Sequence, residues 1–228
     1  MKSIRPWVPD ARIALRVSKL SGAEVRWRQA ALTSRDLWCI CYERIGGGLI
    51  GGSQAQEESL ARSSALYATL TAAPVYYKVN RVCGTGLYTD HMILSLGVPV
   101  FRDDDGLLLT ELYEMGFVTA PADSAGAVAR NEPEHADEIV SRMRRLIVLL
   151  PELVESEGYR YLVLGVWGCG MLRNEPAVIA GLFAEHLLGD GEFIRSFVLV
   201  VFAVLNQPDG STIEAFAKVL LRGEVSST

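Results

Sequence analysis

The chain has 228 residues, 50% of them hydrophobic and 21% charged, with a formal net charge of −5. That length and apolar content suit one well-filled domain across residues 1–228, and the acidic balance excludes a broad, unspecific polyanion binder while permitting a local pocket for a phosphorylated ligand. The longest apolar run, Phe197 to Leu205, is too short to span a bilayer and no signal-type segment opens the chain, so a cytoplasmic protein is expected, or a nuclear one in a eukaryote, with no membrane partner.

In chain order, Met1 to Ala31 carries no functional assignment. Leu37 to Tyr42 reads as a buried strand that holds Cys39 and Cys41; with Cys83 and Cys169 isolated, no disulfide framework is expected. Gly46-Gly47-Gly48 breaks that strand, and Ser53 to Leu70, rich in Ala, Leu, Glu and Gln, reads as a helix. Gly116 to Ala120 reads as a short strand ending at Pro121. Glu134 to Glu155 has Ile139, Met143, Leu146, Leu150 and Leu153 at helical spacing, which leaves Arg142, Arg144 and Arg145 for a solvated face. Tyr161 to Val166 is a second strand, Gly168 to Gly170 a second glycine turn, and Asn174 is placed to cap a helix from Glu175 to Leu188. A strand at Phe197 to Leu205 and a helix from Thr212 to Leu221 complete an α/β sheet with helices on its faces.

The strand, glycine turn, helix pattern therefore occurs twice, at the strand ends where open α/β sheets bind ligands. Glycine makes a tight turn by itself; two such turns at equivalent strand ends also suit a cradle whose backbone N–H groups approach a diphosphate. Gly46, Gly48 and Gly51 fit the spacing G-x-G-x-x-G, but a dinucleotide fold needs an acid roughly 20 residues further on, and Leu66 to Lys78 has none. His91, His135 and His186 are scattered and no zinc, P-loop or nucleophile-elbow spacing occurs, so no metal or cofactor is expected.

Seven residues after the first triplet comes Gln56-Glu57-Glu58. Adjacent glutamates at a helix start commonly favour the macrodipole and face water. Neighbours on a helix point about 100° apart, so these two can also divide work, one gripping a sugar hydroxyl and the other donating a proton to a leaving oxygen.

The run Gly46-Gly47-Gly48, seven residues, Gln56-Glu57-Glu58, continuing to Tyr67, resembles the signature of the microbial-type poly(ADP-ribose) glycohydrolases, a macrodomain family. Tyr88 to Ile93, Val98 to Gly106, Thr119 to Ala122 and Leu162 to Met171 resemble its later segments, so the likeness covers about Gly46 to Leu221. It implies a macrodomain-like fold, a mixed β-sheet sandwiched between helices, and cleavage of ribose–ribose bonds without metal or cofactor. By resemblance, Glu58 is the general acid and base, Glu57 positions the ribose hydroxyls, and Gln56 supports the helix start. Gly46, Gly47 and Gly48, with Gly168, Cys169, Gly170 and Met171, would wrap the diphosphate. The implied partners are ADP-ribose, poly(ADP-ribose) and the protein or nucleic acid carrying it, for a protein expected to be a monomer. Trp38 to Ile45 departs from the family's Asn-Phe-Ala and Pro before the triplet, which keeps open a hydrolase of single ADP-ribose units from a nucleobase or side chain. A non-catalytic ADP-ribose binder is the third reading.

Overall fold

In the computed structural model the described residues are 12–18, 36–40, 56–103, 105–205 and 210–221, the first two segments as strand backbone. Gly46, Gly47 and Gly48 lie outside them. Among the described residues six strands form one sheet in the order β1 (Arg12–Ser18), β6 (Leu199–Leu205), β5 (Tyr161–Gly165), β2 (Asp36–Ile40), β4 (Leu108–Thr119), β3 (Ile93–Arg102). All neighbouring pairs are parallel except β3 with β4, so the sheet is mixed.

Alternation along the strands divides the core in two. Leu162 and Leu164 of β5, Val200, Phe202 and Val204 of β6, and Val118 of β4 point to one face, where they pack with α4 (Ala125–Asn131), α5 (Glu138–Ser156), α6 (Pro176–Leu187) and α7 (Ser211–Leu220). Val163, Val201, Met115 and Phe117 point to the other, against α2 (Leu66–Thr71) and α3 (Pro74–Val82), with Leu60 of α1 (Gln56–Ser63) beside them. Burial on both faces explains the near-continuous apolar runs of β5 and β6. The sheet is thus sandwiched between helices, as the family resemblance implies.

Several boundaries differ from the sequence expectation. The helix expected from Ser53 to Leu70 is interrupted at Ser64, whose hydroxyl donates to the Leu60 carbonyl at 2.7 Å while the Ala65 N–H reaches the Pro99 carbonyl at 2.9 Å. The chain gives up a helical turn to bridge the edge strand β3, a long-range bond that local propensity does not encode. The short strand expected at Gly116 to Ala120 begins at Leu108, because its outer half pairs with β3, including Pro99 opposite Glu114 and Val100 opposite Tyr113. The helix expected from Glu134 opens as a 3-10 turn, Pro133–His135, and becomes α-helical at Glu138.

At the sheet's carboxyl edge three connections meet. The Asp123 carboxylate is fully buried and accepts from the Tyr88 N–H at 2.7 Å and Arg142 Nε at 2.8 Å, and the Arg142 guanidinium also donates to the Tyr88 carbonyl. The Asp123 carbonyl accepts from Asn174 Nδ2 at 2.9 Å. Two expectations are corrected here. Arg142 turns inward instead of joining a solvated face, because a buried carboxylate needs a charged donor. Asn174 does not cap α6: it is buried, its Nδ2 donates to the Asp123 carbonyl while its Oδ1 accepts no N–H, and Glu175 is the residue before the helix, with no side-chain cap bond.

Replacing Arg142 by Ala is expected to cost about 3 kcal/mol, since Asp123 stays buried without its counter-charge. Arg144→Ala, which removes an exposed ion pair with Glu185, should leave the urea midpoint nearly unchanged. Equilibrium urea unfolding of the two variants checks the contrast.

Candidate active site

β2, β4 and β5 run parallel, so Ile40, Thr119 and Gly165 end on the same edge of the sheet. From that edge the chain passes from β5 through Val166 to Asn174 into α6, and from β4 through Ala120 to Ser124 into α4. β3 is antiparallel and starts there, Ile93 lying opposite Thr119, which brings in the segment from Tyr88 to Met92.

Glu57 and Glu58 fall in the first turn of α1, and each is 0% exposed. The water-facing reading of the pair is thereby excluded. Burial of a carboxyl group is costly without partners; the helix N-terminus favours negative charge at this place. Tyr77, also buried, donates its hydroxyl to Glu57 Oε2 at 3.4 Å. Burial, and then the charge of Glu57, raises the Tyr77 phenol above its ordinary value, so it stays a donor. Tyr77 follows Glu57 by 20 residues on α3, a contact without any local sequence signal. Gln56, the first residue of α1, rests its carboxamide against Gly165.

The second glycine turn is shaped from both ends. Gly168 has φ +73°, a left-handed conformation that L side chains rarely adopt, and a Cβ there would meet Asn174 Nδ2 at 2.2 Å. The Gly168 carbonyl accepts from the Asn174 N–H at 3.0 Å, the Gly170 carbonyl from the Arg173 N–H at 3.0 Å, and the Leu172 carbonyl from the Gly126 N–H at 3.0 Å. Asn174 thus holds the turn to the Asp123 junction, a role that its place before a helix disguised as capping. At Gly170 a Cβ would meet nothing within 4 Å, and Met171 is 93% exposed. The open stretch of this turn is therefore Gly170 and Met171, with Gly168 as its anchor. Cys169 is half-buried, and burial, with the charge of Glu175 adding to it, pushes its thiol up to about 12. Of the predicted site residues, the structure places Gln56, Glu57 and Glu58 on α1 and Gly168, Cys169, Gly170 and Met171 in the β5–α6 turn. Gln56 at Gly165 links the two groups, three residues before Gly168.

Tyr77→Phe is expected to lower stability by about 1 kcal/mol, the value of an ordinary hydrogen bond and less than a close bond to a carboxylate gives, because 3.4 Å is long; thermal and denaturant melts measure it. Iodoacetamide at pH 8, followed by peptide mass mapping, should label the exposed Cys83 well ahead of Cys169, because the thiolate is the reactive form.

Residues 41–103 match the family model described as microbial-type PARG, catalytic domain. No match was found among curated proteins. Among solved structures, the poly(ADP-ribose) glycohydrolase of Deinococcus radiodurans in complex with ADP-ribose is 39% identical, over 92% of this chain and 85% of that one, with a TM-score of 0.81. That of Thermomonospora curvata is 38% identical over 95% and 79%, TM-score 0.83. The Thermomonospora enzyme bound to the inhibitor ADP-HPD gives 40% identity over 91% and 78%, TM-score 0.81. The fold is accordingly macrodomain-like, and the chain belongs to the microbial-type poly(ADP-ribose) glycohydrolase family.

Proposed function

We infer that this protein is a poly(ADP-ribose) glycohydrolase, hydrolysing the ribose–ribose O-glycosidic bond to release ADP-ribose from a polymer carried on protein or nucleic acid. The observation that carries the reading is the pair Glu57 and Glu58, buried at the first turn of α1 and joined through Gln56 to the strand that leads into the Gly168 turn, in a chain of this family.

In this reading the backbone of the β5–α6 turn holds the diphosphate, with Gly170 leaving room for it; Gly46, Gly47 and Gly48 are assigned to the same ligand by the family resemblance. Holding the diphosphate fixes the anomeric carbon relative to Glu58. In its acid form Glu58 gives its proton to the departing ribose oxygen as the C1–O bond breaks, leaving an oxocarbenium-like sugar. Water then adds to C1 and returns a proton to the same carboxylate, so the enzyme ends as it began. Glu57, steadied by Tyr77, holds the ribose hydroxyls. The usual glycosidase scheme places two carboxyl groups on two tasks at the anomeric carbon; here one glutamate serves both steps and its neighbour orients the sugar.

Labelled poly(ADP-ribose), mono-ADP-ribosylated protein and mono-ADP-ribosylated DNA, each incubated with wild type and with Glu58→Gln, test this. Wild type is expected to free ADP-ribose from the polymer and the variant to lose about 10²–10⁴-fold in rate with ADP-ribose affinity retained. Release confined to a mono-modified substrate would overturn the polymer assignment, and tight ADP-ribose binding without turnover would make the protein a reader.

A further inference from the structure

Gly165 ends β5 opposite Ala203 of β6. Along β5, Leu162 and Leu164 point to the α4–α7 face and Val163 to the other. Position 165 shares the parity of Val163, so a side chain there would leave the sheet on the face that carries α1. That space is taken. A Cβ built on Gly165 would lie 3.1 Å from Gln56 Oε1, 3.4 Å from Gln56 Nε2 and 3.7 Å from Gln56 Cδ, and these are its three nearest atoms. The glycine does not answer a need for a left-handed backbone, since its φ is not positive. Glycine within a strand weakens it and commonly marks a close approach. Here the approaching group is the carboxamide of the residue that opens α1 and directly precedes Glu57 and Glu58.

We propose that Gly165 is a positioning residue for the hydrolytic reaction: its missing side chain seats the Gln56 carboxamide against the end of β5, and that seat sets where Glu57 and Glu58 stand over the carboxyl edge of the sheet. Gly165 acts through Gln56 and touches no reacting atom. A methyl group at 165 must displace the carboxamide by a few tenths of an ångström, and α1 starts at that residue. The Gly168 turn is anchored separately, through Asn174 and Asp123, so ADP-ribose binding and proton transfer should respond differently. The inference rests on the glycohydrolase reading above.

The test uses Gly165→Ala, Gln56→Ala and the double variant of the full chain. Wild-type turnover of the polymer is measured first; an inert wild type removes the functional reading itself. With an active wild type, Gly165→Ala is expected to lose about tenfold in kcat, a scale set by the sensitivity of catalysis to sub-ångström misplacement, with its Kd for ADP-ribose within twofold of wild type. Its Tm should fall by a few degrees in a domain this size. In the Gln56→Ala background the same substitution should leave Tm unchanged, because its clash partner is gone. A Gly165→Ala enzyme with kcat within twofold of wild type overturns the proposal. So does an equal fall in Tm in both backgrounds, or a Kd that weakens in step with kcat.

Discussion

Two adjacent carboxyl side chains with no exposed surface are the constraint around which the rest of this structure is organised. Burying even one carboxylate without partners costs several kcal/mol, a large part of the 5–15 kcal/mol by which an ordinary domain is stable. Glu57 and Glu58 are helped by their place in the first turn of a helix, where the macrodipole favours negative charge, and Tyr77 brings a hydroxyl from α3 to Glu57. The Tyr77 bond requires α1 to hold one position beside α3. Two further contacts help to hold that position: Gln56 on Gly165 at its start and the Ser64 bridge to Val100 just past its end.

The carboxyl edge is held by a second device of the same kind. Asp123 and Arg142 bracket the Tyr88 peptide, one taking its N–H and the other supplying a donor to its carbonyl. The Asp123 carbonyl reaches through Asn174 to Gly168. Three connections distant in sequence are thus tied at one buried point, and the turn proposed to take a diphosphate hangs from it. A ligand turn of this sort needs backbone N–H groups fixed in advance, since ordering them on binding would consume affinity.

Much of the layer order was legible because it follows from short-range pattern. The runs at β5 and β6 read as buried strands, and both were found within two residues of their expected limits. The glycine turn at Gly168 was legible for the same reason. The outer half of β4 was not, since Leu108 and Leu112 are exposed and carry no burial signal; its pairing with β3 makes it a strand. Asn174 before a helix start looked like a cap, a local inference that a bond to Asp123, 51 residues away, overrides.

By itself the sequence determined the strand, glycine turn, helix order, the placing of Glu57 and Glu58 at a helix start, and the family likeness carried by that spacing, because these depend on residues a few positions apart. Only the tertiary structure decided that both glutamates are buried, that Arg142 turns inward, that Tyr77 donates to Glu57, and that position 165 has no room for a Cβ. Each of those depends on which segments meet once the sheet closes, and burial and long-range hydrogen bonding are properties of the meeting, not of any one segment.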